Sequence, residues 1–187
     1  MAPPPDDANR DVGATDAPLG LTCAARDHHS RAMTEPLSLR IDDLTGDQTR
    51  ALLAIHLAGM HENTPAGHVF ALDLSGLQAP GVTVWSAWRG DAIAGIAALR
   101  ELDAASGELK SMRTHPDHLR QGVAATLLDH IVGEARIRGM RRLSLETGRG
   151  PSFEPALALY RRSGFANGAA FGDYEASDFN QFLHLDL

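Results

Sequence analysis

The fold is decided by residues 112–125, which read Met112-Arg113-Thr114-His115-Pro116-Asp117-His118-Leu119-Arg120-Gln121-Gly122-Val123-Ala124-Ala125. A strand-like run passes here through a turn into a glycine-containing helix start. Because the first amide N–H groups of a helix have no intrahelical partner and carry partial positive charge, such a junction can hold an anion. Gly122 allows the anion to approach the backbone closely, and Arg120 adds a positive charge that can reach it. The stretch therefore predicts a phosphate-binding turn that leads into an amphipathic helix running to Arg138.

Strand and helix signals alternate on both sides of this turn. Alternating apolar residues predict the strands, and capping residues, prolines and glycines delimit the helices. The predicted strands are Leu37–Ile41, Val82–Trp88, Ala92–Leu99, Leu109–Thr114, Arg142–Thr147 and Phe179–Leu187. The predicted helices run from a Thr45 cap to about Met60, near His68–Leu74, from Ala125 to Arg138 and from Pro155 to Ser163. This order indicates a mixed α/β sheet, with a hairpin at Arg89-Gly90-Asp91.

Length and composition limit the class of protein. A chain of 187 residues with 43% hydrophobic content is large enough for one soluble domain, which we expect over 36–187. Residues 1–35 are rich in proline and aspartate and are expected to be a disordered tail. A formal net charge of −7 argues against nucleic acid or an anionic membrane as partner. The single cysteine, Cys23, excludes an intrachain disulfide and predicts a cytoplasmic protein.

Two motifs resemble those of the GNAT superfamily of acyl-CoA-dependent N-acetyltransferases. The family pattern Arg/Gln-x-x-Gly-x-Gly/Ala covers Leu119–Ala124, although Leu119 stands where Arg or Gln is usual. About 40 residues later, Ala156–Phe165 resembles the family's Ala-x-x-Leu-Tyr-x-x-x-Gly-Phe helix. The resemblance implies a mixed, mostly antiparallel sheet of six to seven strands flanked by helices. It also implies acetyl-CoA as co-substrate.

The same resemblance assigns roles to individual residues. It implies that the pyrophosphate is held mainly by backbone N–H groups of the turn residues Leu119, Arg120, Gln121, Gly122, Val123, Ala124 and Ala125. It implies that Met112, Arg113 and Thr114 separate from the neighbouring strand and offer their backbone to the pantetheine arm. Tyr160 corresponds to the tyrosine that protonates the leaving thiolate.

Glu108 begins the strand that leads to the turn, where some family members carry a catalytic glutamate. The resemblance therefore makes Glu108 the general base that removes the amine proton through water. The alternative is a strand-end glutamate paired with Lys110, two residues further along on the same strand face.

No resident metal is expected. His56, His61 and His68 are spaced by five and seven residues, which does not match a helical ligand pair at i, i+4. These histidines either line the acceptor pocket with Trp85 and Trp88 or lie on helix and loop surface.

Two classes of function remain open on the sequence alone. The first is an N-acetyltransferase that transfers an acetyl group from acetyl-CoA directly to a primary amine of a small molecule or peptide. The second is a non-catalytic acyl-CoA-binding or sensing module. The acceptor is expected to contact residues 61–80 and the loops at Arg149 and Asp173-Tyr174, and the acidic net charge favours a cationic amine. Family habit implies a homodimer through the last strands.

Overall fold

The computed structural model describes residues 35–65 and 69–187, which contain seven strands and four α-helices. The strands are β1 (Leu37–Ile41), β2 (Val82–Arg89), β3 (Ala92–Asp103), β4 (Ser106–Thr114), β5 (Arg142–Gly148), β6 (Ala166–Gly168) and β7 (Asn180–Asp186). The helices are α1 (Asp47–Asn63), α2 (Leu74–Leu77), α3 (Val123–Ile137) and α4 (Glu154–Arg162), with a short 3₁₀ turn at Pro116–His118. None of the helices in this part of the chain has the length and apolar character needed to cross a membrane.

All seven strands join one sheet in the order β1-β2-β3-β4-β5-β7-β6. Every neighbouring pair is antiparallel except β4 and β5, which run parallel. The ladder between β4 and β5 has three residue pairs and ends at Glu108 opposite Ser144. Beyond that pair the two strands separate, so the sheet opens at its centre. The predicted mostly antiparallel α/β sheet flanked by helices is confirmed.

A hydrophobic core lies on each face of the sheet, because the side chains of a strand alternate between its faces. On β3, Ala97 and Leu99 belong to one cluster, whereas Ile96 and Ala98 belong to the other. The first cluster contains the buried residues of α3, including Leu127, Leu128 and Ile131, and residues of α4. The second contains Leu52 and Leu53 of α1.

A β-bulge bends β4 where it leaves β5. Ile96 is paired with Arg113 and Ala98 with Lys110, so two residues of β4 oppose Ala97 alone. Ser111, at the bulge, has a φ of 51°, which is unusual for a residue with a side chain. Bulges bend a strand and change the direction of its side chains. The bulge therefore accompanies the opening of the sheet beside Ser111.

The first turn of α3 is held close to the sheet. A Cβ atom added to Gly95 of β3 would lie 2.7 Å from Val123 Cγ1 and 3.0 Å from Leu127 Cδ1. Glycine at this position thus permits an approach that a side chain would block. The close packing fixes the turn at Gly122 beside the end of β4.

Several sequence expectations need correction. The short helix predicted near residues 68–74 is wrong, since the described residues 69–73 are not helical and α2 begins at Leu74 with Asp73 as its cap. Thr45 does not cap α1, because the N-cap is Gly46 and the Thr45 hydroxyl donates to Asp43. Strand β6 was not predicted. The predicted tail at 1–35 lies outside the described residues except for Glu35.

Candidate active site

The turn between β4 and α3 has the geometry of an anion cradle. Gly122, the N-cap of α3, has a φ of 82°, and no side chain forms a capping hydrogen bond there. A Cβ atom added to Gly122 would meet no atom within 4 Å, so the backbone faces open space. The helix has 15 residues, and its first amide N–H groups carry partial positive charge. This turn therefore fits a phosphate group approaching the backbone of Gly122.

Hydrogen bonds from neighbouring side chains fix the shape of this turn. Arg89 Nη2 donates to the Gln121 carbonyl at 3.2 Å, and Gln121 Nε2 donates to the Asp117 carbonyl at 3.0 Å. Arg120 has a φ of 58°, so Arg120 and Gly122 both adopt left-handed backbone conformations in this turn.

The predicted turn residues are not equally available to a ligand. Val123 is buried in the core, whereas Leu119 and Arg120 are exposed and Gln121, Ala124 and Ala125 are half-buried. Any contact of Val123 with a ligand is therefore made by its backbone. Leu119, at 57% exposure, is an apolar side chain at the rim of the turn.

A cavity of about 180 Å³ occupies the opening between β4 and β5. It reaches from α1 across both strands to α4, and residues from all four elements line it. Its lining includes His56, Lys110, Met112, Arg113, Glu146 and Tyr160. Met112 and Arg113 therefore lie beside the opening, as the sequence predicted for a separated strand.

Glu108 lies at the point where the strands separate and is fully buried. Tyr174 Oη donates to Glu108 Oε1 at 2.5 Å, and Lys110 Nζ lies 3.4 Å from the same oxygen. Arg100 Nη1 lies 3.6 Å from the other carboxylate oxygen. The ion pair with Lys110 considered from the sequence is thus present. Glu108 does not line the 180 Å³ cavity.

A second cavity, of about 310 Å³, adjoins the first and shares Phe70 and Lys110 with it. Glu108 and Tyr174 also line it, together with Leu72, Leu102, Phe171 and Asp173. The segment around residue 70 and the loop at Asp173-Tyr174, both expected at the acceptor, therefore meet in space. Arg149 does not line either cavity and donates instead to the Asn180 carbonyl at 2.9 Å.

Glu146 on β5 is a cavity residue that sequence reasoning missed. Burial raises its pKa from 4.5 to about 7, with Lys110 opposing the rise and Glu108 adding to it. A carboxyl group with such a pKa can take up and release a proton near neutral pH. The sequence signal was a single acid two residues after the buried Ser144 on the same strand face.

Tyr160 of α4 reaches the far end of the cavity. Its side chain is buried and lines the cavity. The ring packs against that of Phe165, with 5.9 Å between the two ring centroids. Burial raises the pKa of Tyr160 above its ordinary value, so the hydroxyl keeps its proton at neutral pH. No hydrogen bond joins that hydroxyl to another residue in the described part of the chain. It is therefore available as a donor to a group in the cavity.

His56 enters the cavity from α1, whereas His61 is exposed and His68 lies outside the described residues. Burial, followed by the charges of Arg113 and Lys110, lowers the pKa of His56 to about 4. His56 is consequently neutral at physiological pH. Trp85 and Trp88 do not line the cavity, because Trp85 is packed in the core and the Trp88 indole donates to Ser86.

Comparisons with known proteins agree with this geometry. A family model described as the acetyltransferase (GNAT) family matches residues 41–165. An uncharacterised N-acetyltransferase of Bacillus subtilis, YsnE, is 51% identical over 151 residues, covering 81% of this chain and all of that protein.

Solved structures share the fold. A structure from Klebsiella pneumoniae, described as a candidate acyl-CoA N-acyltransferase, has a TM-score of 0.68 at 27% identity and covers 81% of this chain and 97% of its own. A Bacillus subtilis acetyltransferase in complex with CoA has a TM-score of 0.62 at 20% identity, covering 81% of this chain and 99% of its own. The family match, the high identity to an N-acetyltransferase and the opened sheet together confirm the resemblance. The chain belongs to the GNAT family of acetyltransferases.

Proposed function

We propose that this protein transfers the acetyl group of acetyl-CoA to a primary amine of a small molecule. The observation that supports this most directly is the opening between β4 and β5, where a cavity lined by Met112, Arg113 and Tyr160 lies beside the strand that leads to the uncapped helix start at Gly122. Acetyl-CoA supplies the acetyl group as a thioester. The protein's own residues must then hold the phosphates, accept the amine proton and donate to the departing sulfur.

The cofactor is assigned to the turn and to β4. The backbone N–H groups of Gly122, Val123 and Ala124 are assigned to the pyrophosphate, with Arg120 adding charge. The backbone of Met112, Arg113 and Thr114 is assigned to the pantetheine amides, because β5 leaves that edge of β4 unpaired. We also assign to an amide N–H near Met112 the polarisation of the thioester carbonyl.

We assign the proton acceptor to Glu146. An amine reacts only when it is neutral, so a primary ammonium group must first lose a proton to the protein or to water. Glu146 lines the cavity, and its pKa of about 7 lets it be ionised before the reaction and protonated after it. The Tyr160 hydroxyl then gives its proton to the leaving sulfur and regains one from the nitrogen of the new amide, so that one proton per turnover leaves through Glu146 to solvent.

Glu108, the base predicted from the sequence, is assigned a positioning role. Tyr174 and Lys110 already occupy its Oε1, and the carboxylate is fully buried. Its negative charge raises the pKa of Glu146. A comparison of Glu108→Gln with Glu146→Gln separates the two assignments. If Glu108→Gln abolishes the pH dependence of kcat/KM near neutrality and Glu146→Gln keeps it, Glu108 is the base.

The experiment that tests the proposed function is calorimetric titration with acetyl-CoA, combined with a CoA-release assay over a panel of primary amines. Amine-dependent CoA release supports acetyl transfer. Tight binding without release from any amine contradicts it and favours the sensing module. Absence of binding removes the cofactor assignment.

Two matched glycine variants test the cradle itself. Gly122 and Gly139 lie at opposite ends of α3, have φ values of 82° and 77°, and each offers open space to an added Cβ atom. Alanine at either position strains the backbone by ~1–2 kcal/mol. Only Gly122→Ala places a methyl group in the phosphate path, so it alone should weaken acetyl-CoA binding. Equal affinity of the two variants contradicts the cradle.

A further inference from the structure

Arg113 is a cation in the wall of the cavity, and none of the carboxylates among the described residues pairs with it. Arg100, Arg138 and Arg142 each lie within 4.0 Å of a carboxylate oxygen. In the described part of the chain, Arg113 forms no such pair, and its buried Nε has no hydrogen-bond partner. The Arg113 side chain is partly exposed, but a buried N–H donor without a partner is costly, because it has lost water without compensation. Such a group is suited to receive an anion from outside the protein.

The guanidinium of Arg113 lies beside α1. Its Nη1 and Nη2 lie 3.5 Å and 3.8 Å from the point where a Cβ atom of Gly59 would stand, which is ordinary van der Waals contact. Gly59 and Arg113 both line the cavity, so the guanidinium lies in its wall between β4 and α1.

Lys110, the neighbouring cation, is already engaged. Its Nζ donates to Tyr174 Oη at 2.6 Å and to the Phe70 carbonyl at 2.8 Å, and it pairs with Glu108. Burial keeps His56, another basic side chain of this wall, neutral, and the charge of Arg113 adds to that effect. Among the described residues that line the cavity, Arg113 is therefore the cation whose donors remain available, whereas Glu146 supplies a carboxyl group to the same cavity.

We propose that the acceptor is a small amino acid or a similar amine that carries a carboxylate, which binds to Arg113 while the amine faces Glu146. This rests on the proposed function. A guanidinium binds a carboxylate through two parallel N–H···O bonds, which orients the acceptor. The cavity of about 180 Å³ that Arg113 and Glu146 line is also assigned the end of the pantetheine arm, so the space left for the acceptor suits a compact molecule. The local charges thus select a zwitterion, although the acidic net charge of the whole chain favoured a cationic amine.

The first test compares each of several small L-amino acids with its amide in the CoA-release assay. The acid and the amide share the amine and the side chain and differ in the carboxylate. We expect kcat/KM for the acid to exceed that for the amide by about 100-fold, because the amide leaves the guanidinium without its anion. Equal rates, or a preference for the amide, overturn this proposal while acetyl transfer itself stands. Absence of release from every amine overturns both proposals.

Substitution of Arg113 tests the residue. Arg113→Gln should raise KM for the acid and reduce the preference for acid over amide to within about threefold, and Arg113→Lys should restore part of it. Arg142→Gln removes the same charge from an exposed pair with Asp186 outside the cavity and should keep the preference. An Arg113→Gln protein that keeps the full preference overturns the proposal. An Arg113→Gln protein that instead binds acetyl-CoA more weakly in calorimetry also overturns the proposal, because Arg113 then binds the cofactor. If Arg113→Gln does not fold, the comparison of acids with amides in the parent protein decides.

Discussion

Replacing Glu146 with Gln should change both the pH dependence of stability and the pH dependence of catalysis. The substitution keeps the shape of the side chain and removes the carboxyl group whose pKa burial raises from 4.5 to about 7. At about 1.4 kcal/mol for each pH unit, an ionised Glu146 lowers the free energy of unfolding by ~3 kcal/mol. Solvent at the open rim of the cavity reduces this to about 2–3 kcal/mol.

The sign of the effect follows from proton binding. The folded protein holds the proton of Glu146 more tightly than the unfolded chain does, so this contribution to stability is complete below pH 4.5 and is lost as the pH rises through 7. Glu146→Gln has no such loss. The variant should match the parent at pH 4 and exceed it by about 2–3 kcal/mol at pH 8.

Urea unfolding at pH values from 4 to 8 measures this difference. Asp129→Asn, which removes an exposed carboxylate from α3, is the matched control and should follow the parent curve. In the release assay, kcat/KM of the parent should rise through pH 7, and Glu146→Gln should lower it by about 100-fold or more and abolish that rise. If Glu146→Gln unfolds with the same pH profile as the parent, the burial argument is refuted.

Three further substitutions address neighbouring groups. Tyr160→Phe should lower turnover by about 100-fold and leave the Kd for acetyl-CoA nearly unchanged, and unaltered turnover would remove this hydroxyl from the mechanism. Folding lowers the pKa of His56 from 6.5 to about 4, so the parent protein loses stability as the pH falls through that range. His56→Gln should therefore reduce the fall in the free energy of unfolding between pH 6.5 and 4, measured by urea unfolding. Tyr174→Phe keeps the ring contacts but removes the hydroxyl that donates to Glu108 and accepts from Lys110, so it should cost about 1–3 kcal/mol in urea unfolding. A loss below about 0.5 kcal/mol would show that water replaces that hydroxyl.

Local sequence determined much of the fold. The strand Leu37–Ile41 was predicted with its observed bounds, and the helix after Gly122 begins and ends within two residues of its predicted limits. Both depend on periodicity and on end residues, which are properties of adjacent positions. The glycine turn before this helix was likewise predictable, because the glycine and the helix start lie next to each other in the chain.

The tertiary structure alone decided which charged groups converge. Tyr174 and Glu108 are 66 positions apart, and their hydrogen bond depends on how the loop before β7 folds over β4. Glu146 is an ordinary strand residue in the sequence, and its raised pKa arises only from burial beside β4 and the charge of Glu108. Arg113 belongs to residues 112–125, yet its place beside α1 and in the same cavity wall as Glu146 follows only from the folded structure. Sequence periodicity fixes which face of an element a residue occupies, whereas burial and electrostatics depend on every element that packs against that face, and these are set only when the chain is folded.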